Sequence, residues 1–236
     1  MSRRSSPSLA ILRLSACASL AFAPPIGSTL AAQDLGVPAE RITRAATLGE
    51  GEGVVVLSVR SELYLEEPLD LYFALESAGD ENGTDAIVRV ERRQGAFAFG
   101  NDTVEYRPRG YRLPAGSYRL LAHGIDCAKV PAPDERCLIE RRGIIGRIEI
   151  SRPSRGYGED APRFEVREGA VTYAGDFALT ARNSVEWSPV PAEELAKLRR
   201  RFAGLEAGPA PEIPEGFRLK YGLRARSFQD DRGRRY

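Results

Sequence analysis

The apolar positions of this chain fall into short segments of β period. Val54 to Val59 is an unbroken apolar run rich in β-branched residues, the pattern of a central strand buried on both faces. Leu69, Leu71, Phe73 and Leu75 alternate with Asp70, Tyr72, Ala74 and Glu76, which places one side of a strand in a core. A polar stretch from Gly79 to Asp85 follows, and its Asn82-Gly83 pair predicts a turn into a strand at about 86–92. Shorter segments at 96–99 and 103–106 continue the series. Leu113-Pro114-Ala115-Gly116 predicts a turn, after which Tyr118, Leu120 and Ala122 mark one face of a strand. Further strands are expected at 137–139 and 144–150, then a polar loop at 151–163. The clearest alternation comes last: Val171, Tyr173, Gly175, Phe177 and Leu179 against Thr172, Ala174, Asp176, Ala178 and Thr180.

One segment has the helical period. Leu195, Leu198, Phe202 and Leu205 form an apolar stripe, with Pro191, Glu193 and Glu194 at the start and Lys197 and Arg199 to Arg201 towards the end. Gly204 is a natural stop. Many strands, regular turns and no strand-helix-strand rhythm predict a mainly β fold: a β-sandwich of prealbumin or immunoglobulin type with one C-terminal amphipathic helix, with a β-barrel as the alternative. The stripe is expected to pack on the sandwich, and the prolines at 209, 211 and 214 to lead into an extended tail.

The N-terminus has a different pattern. Arg3, Arg4 and Arg13 precede an apolar segment from Leu14 to Ala23, then Pro24-Pro25 and the small-residue end Thr29-Leu30-Ala31-Ala32, with no acidic residue before Gln33. This is the layout of a removed export signal, cut after Ala31 or Ala32. A membrane span needs about 20 apolar residues, more than the proline pair leaves here. Leu14-Ser15-Ala16-Cys17 offers a second route, a lipobox in which Cys17 is lipidated. The organisation expected is a signal peptide at 1–32, a linker at 33–52, a β-sandwich domain at 53–190, a packed helix at 191–206, and a Pro-rich linker with a basic tail at 207–236. The product is expected to be periplasmic or secreted, with a lipoprotein anchored through Cys17 as the alternative.

Export changes the reading of the cysteines. Cys127 and Cys137 remain as a pair in an oxidising compartment, so a disulfide is expected. Closing so short a loop stabilises the fold by roughly 2.5–3 kcal/mol in the chain-entropy account. Their spacing is not the Cys-x-x-Cys of a redox pair, and with one histidine they are too few for a closed zinc site.

Loss of the three leader arginines takes the net charge from +1 to −2, so nucleic acid is not expected as a partner. The charge is uneven, however. From Phe217 onward seven basic residues stand against Asp230 and Asp231, a local +5, which reads as a solvated tail or as a contact with a membrane surface or acidic envelope polymer.

Candidate chemistry is sparse. His123 is the single histidine, so any Ser-His-Asp or Cys-His mechanism would need it, yet it lies within strand alternation. Asp80, Asn82 and Thr84 have the spacing of the first calcium ligands of an EF-hand loop but lack its glycine and glutamate. Glu66-Glu67 and Asp230-Asp231 read as solvated pairs, and the sequons at Asn82 and Asn101 matter only in a eukaryotic source. No phosphate-binding glycine loop appears, and no catalytic residue, metal site or cofactor is expected.

The segment from Leu113 to Leu120 resembles the turn-and-strand signature of prealbumin-like and carboxypeptidase-regulatory-like sandwiches. Phe164-Glu165-Val166 with the run from Gly169 to Leu179 is similar to a segment of uncharacterised bacterial periplasmic proteins and lipoproteins. The resemblance implies a fold and a compartment, and brings no functional residues with it. The expected function is that of a non-catalytic binding or structural module of the cell envelope, whose partner is an unknown envelope protein or polymer. The alternative is a periplasmic hydrolase that clusters carboxylates in a pocket.

Overall fold

In the computed structural model the residues described are 36–44, 48–65, 67–76, 84–93, 106–127, 129–131, 135–214 and 217. In chain order their elements are β1 (Val37–Pro38), β2 (Glu40–Ile42), β3 (Glu52–Ser61), β4 (Leu69–Glu76), β5 (Thr84–Arg92), β6 (Arg109–Pro114), β7 (Gly116–Ile125), β8 (Cys137–Gly143), β9 (Gly146–Arg152), β10 (Ser154–Gly156), β11 (Arg163–Val166), β12 (Ala170–Leu179), β13 (Val185–Ser188), α1 (Ala192–Arg201) and β14 (Glu206–Ala207). One sheet runs β1-β5-β4-β7-β10, with β11 also on β7. The other runs β13-β12-β3-β6-β2, with β14 on β12. Neither sheet closes, so the molecule is a β-sandwich and the barrel alternative fails.

The apolar run of β3 lies in the middle of its sheet, parallel to β12 and antiparallel to β6. Both of its faces are covered. Val55, Leu57 and Val59 enter the core between the sheets, and Val54 and Val56 lie under α1 with Val171, Leu198 and Phe202. Gly110 of β6 admits the Phe202 ring: a Cβ there would stand 2.5 Å from Phe202 Cζ. The helical stripe thus packs on the outside of the sandwich, as expected. Between the sheets, the Phe73 ring meets Phe164 and Phe177 edge-on at 5.2 and 5.5 Å, and Tyr118 stacks on Phe164.

Two bulges correct the expected strand faces. In β12 the register against β3 slips between Tyr173 and Gly175, so Ala174, Phe177 and Leu179 belong to the core while Tyr173 packs with the helix cluster. In β7 the slip falls between Leu120 and Ala122. Tyr118 and Leu120 face the core as expected, Ala122 pairs with Tyr72 on the other face, and His123 comes level with Leu71. A single extra residue reverses every later position in a strand of period two.

The stretch 33–52, expected as a linker, holds the short strands β1 and β2, which pair with β5 and β6. At two and three residues they are too short to show a period. Of the segments expected at 96–99 and 103–106 only Tyr106 is among the described residues, and it belongs to no strand.

Candidate functional site

Residues 137–152 leave the sandwich as a separate ribbon. β8 and β9 pair with each other in continuous register, from Cys137 opposite Arg152 to Gly143 opposite Gly146, and with neither sheet. The sequence placed Ile144 and Ile145 at the start of a strand. They are instead the two corner residues of the turn, and their relative exposures are 106% and 100%. Leu138 and Ile148 are also exposed. Asn, Asp and Gly are the residues that two-residue turns favour, and β-branched residues bring such corners no conformational advantage. From Arg141 to Arg147 the chain carries three arginines and no acidic residue. Arg142 stands directly opposite Arg147, and Arg147 pairs with Glu140 lower on the ribbon. The available signal was Gly143-Ile144-Ile145-Gly146 between arginines, which a strand-counting reading absorbed.

The root of the ribbon is held in three ways. Cys137 is disulfide-bonded to Cys127, as expected from the sequence. The Cys137 N–H donates to Ser154 Oγ (3.0 Å), whose hydroxyl donates to the Glu135 carbonyl (2.6 Å). Arg152 pairs with Glu67, so one of the two glutamates read as solvated braces this root. Cys127→Ser/Cys137→Ser is expected to lower stability by about 2–3 kcal/mol through loss of loop closure, measured by urea unfolding with the oxidised wild type alongside.

His123 sits at the end of the core in a closed network. Asn183 Nδ2 donates to the Ser154 carbonyl (3.3 Å), which turns its Oδ1 towards His123 Nε2 (2.9 Å). Nε2 therefore carries the proton, and Nδ1 accepts from the Tyr157 hydroxyl (2.8 Å). The Tyr157 oxygen in turn accepts the Val185 N–H (2.8 Å). Burial pushes the imidazole pKa down to about 4, against a smaller rise from the Asn183 bond. This arrangement ties β7 to the loop before β13.

Asp70 has the opposite shift. It lies on the outer face of β4 with Tyr72, across the ladder from Glu91 and Gly124, and the disulfide loop packs against Gly124. Burial raises its pKa to about 7, with Arg89 opposing and Glu91 adding to the rise. The two groups give opposite pH dependences. His123 contributes stability that is complete above its ordinary 6.5 and lost as pH falls through 4, about 3 kcal/mol in all. Asp70 contributes stability that is complete below its ordinary 3.8 and lost as pH rises through 7, about 4 kcal/mol. Asp70→Asn is therefore expected to be more stable than wild type at about pH 8 and to expose the acid-side loss from His123. Urea unfolding of both chains across the pH range reads this directly, and parallel profiles would exclude the Asp70 assignment.

A cleft of about 470 Å³ opens beside Tyr157, lined among others by Arg155, Asp160, Arg182, Glu186 and Phe217. Among the described residues no three or more His, Cys, Asp or Glu side chains are grouped for a metal ion, and no helix is long and apolar enough to cross a membrane. Thr84 opens β5, while Asp80 and Asn82 lie outside the described residues, as do Cys17, Glu66, Asn101, Asp230, Asp231 and the basic tail beyond Phe217. No family model, no curated protein and no solved structure matches the chain.

Proposed function

We propose that this protein is an exported β-sandwich module of the cell envelope that acts by binding, and that the β8–β9 ribbon is its contact element. The observation that carries this reading is the pair Ile144 and Ile145, fully exposed at the tip of a ribbon whose root is covalently closed. Burying an isoleucine side chain on contact gains about 1.5–3 kcal/mol, so a two-residue tip is a useful but modest anchor. A rigid root limits the entropy lost when the tip docks. The leader pattern of 1–32 and the oxidised Cys127–Cys137 pair support an extracytoplasmic location, periplasmic or secreted, or anchored at an acylated Cys17.

The test has two parts. Intact mass of the protein from its native envelope should give a chain starting near Gln33 without free thiol; a start at acylated Cys17 would make it a lipoprotein. A photo-crosslinker at Ile145 should then yield envelope adducts, and Ile144→Asn/Ile145→Asn should release the protein from the envelope fraction without loss of stability. Retention of that variant at wild-type levels, with no adducts, would remove the ribbon as the contact element.

A second reading, a hydrolase using clustered carboxylates, rests on the Tyr157 cleft, because Asp160 and Glu186 both line it. It requires turnover of peptidoglycan fragments, glycans or esters that Asp160→Asn and Glu186→Gln each abolish. Unchanged turnover in those variants would discard it.

A further inference from the structure

We infer that the surface met by the ribbon is a phospholipid bilayer bearing anionic headgroups, with Ile144 and Ile145 entering the headgroup–acyl boundary and the flanking arginines lying at phosphate level. The inference rests on the ribbon being the contact element and names its partner. Three observations favour lipid over a protein groove. The first is shape. The strands are seven residues each, which at about 3.3 Å per residue lifts the tip roughly 20 Å from its root. A protein interface commonly needs about 800 Å² on each side, more than two isoleucines on a turn present. A bilayer asks for no matching shape.

The second observation is charge. Arg142 and Arg147 are direct cross-strand partners, and Arg141 is opposite Ile148. Like charges in that position weaken a ladder, and the turn segment from Arg141 to Arg147 holds three arginines and no acidic residue. Anionic headgroups would relieve the repulsion, and each basic residue near such a surface adds to attraction that falls off within a Debye length.

The third is depth. Among the described residues the ribbon pairs with no other strand, so its edges present backbone groups that the hydrocarbon interior would not tolerate. Only the tip can enter, as interfacial anchors do when they seat about 5–10 Å into the boundary. The most exposed apolar pair lies at the turn, with arginines immediately behind it, which fits that depth.

The experiment uses the chain from Gln33 to Tyr236 and its Ile144→Asn/Ile145→Asn variant, so that the basic tail contributes equally to both. Binding is measured by co-sedimentation with phosphatidylcholine vesicles, with and without phosphatidylglycerol. The variant should partition at least about tenfold more weakly, the loss expected for uncovering one buried isoleucine or more. Arg142→Gln/Arg147→Gln should bind several-fold more weakly only where phosphatidylglycerol is present and salt is low. Ile145→Trp gives a direct reading, because the native Trp187 is buried in the core and shielded from lipid. Brominated acyl chains should quench fluorescence of the Ile145→Trp chain and leave the wild type unquenched.

Equal sedimentation of wild type and tip variant, with no quenching, overturns the lipid assignment. If that result comes with Ile145 crosslinks to an envelope protein, the ribbon remains the contact element and its partner is a protein. If it comes with no crosslinks, both readings fail.

Discussion

Asp176→Asn is expected to lower the unfolding free energy by about 3–5 kcal/mol, because it removes the carboxylate charge beside a buried guanidinium. Asp176 and Arg60 stand on adjacent parallel strands on the outer face of the β3–β12 sheet, with Arg60 Nε 2.7 Å from Asp176 Oδ2 and side-chain exposures of 2% and 5%. Burial raises the Asp176 pKa and outweighs the opposing pull of Arg60. The pair as a whole is therefore a weak source of stability, and either half alone is a large liability. Arg60→Met should cost a similar amount, whereas Arg60→Met/Asp176→Leu should recover most of the loss. The measurement is a double-mutant cycle by urea unfolding, and additive single losses would show that the two side chains are not coupled.

Gly175→Ala is expected to cost about 3 kcal/mol or more, from a strained backbone and a clash that cannot relax. Gly175 has φ +100°, and a Cβ there would stand 2.6 Å from the Ser188 carbonyl and collide with the Trp187 indole. The collision matters because Trp187 Nε1 donates to the Ala174 carbonyl at 2.7 Å, which locks the bulge to β13. Displacing the indole would undo both its packing and that bond. Calorimetry should show a Tm lowered by several degrees, with loss of near-ultraviolet tryptophan dichroism near the new midpoint. Gly51→Ala is the control: it too has positive φ, but open space around it, so it should cost only the backbone term.

These two positions also mark where sequence reading was limited. Asp176 appeared in the sequence only as a polar member of an alternating strand, yet it is 1% exposed, on the face of the sheet where α1 packs. Gly175 fitted the alternation, although the ladder breaks immediately before it, at the unpaired Ala174. The same holds for Ala122 and His123 in β7. A period-two pattern carries no mark of an inserted residue unless the partner strand is known, since a bulge is defined by pairing. The isoleucine tip was misplaced for a related reason. Apolar β-branched residues read as strand by composition, and only the register of β8 with β9 shows that the chain reverses at them.

What the chain determined locally is considerable: the both-faces-buried β3, the core face of β4, the amphipathic α1 and the Cys127–Cys137 pair all follow from spacing, because burial period and short-range loop closure are written in consecutive residues, although Asp70, Tyr72 and Ala74 on the other face of β4 are buried as well. The pairing of β3 with β12 across more than a hundred residues, the two bulges, the buried Arg60–Asp176 pair and the isolation of the ribbon were decided by tertiary structure. Each depends on which distant strand supplies the neighbouring hydrogen bonds, and no local pattern encodes that choice.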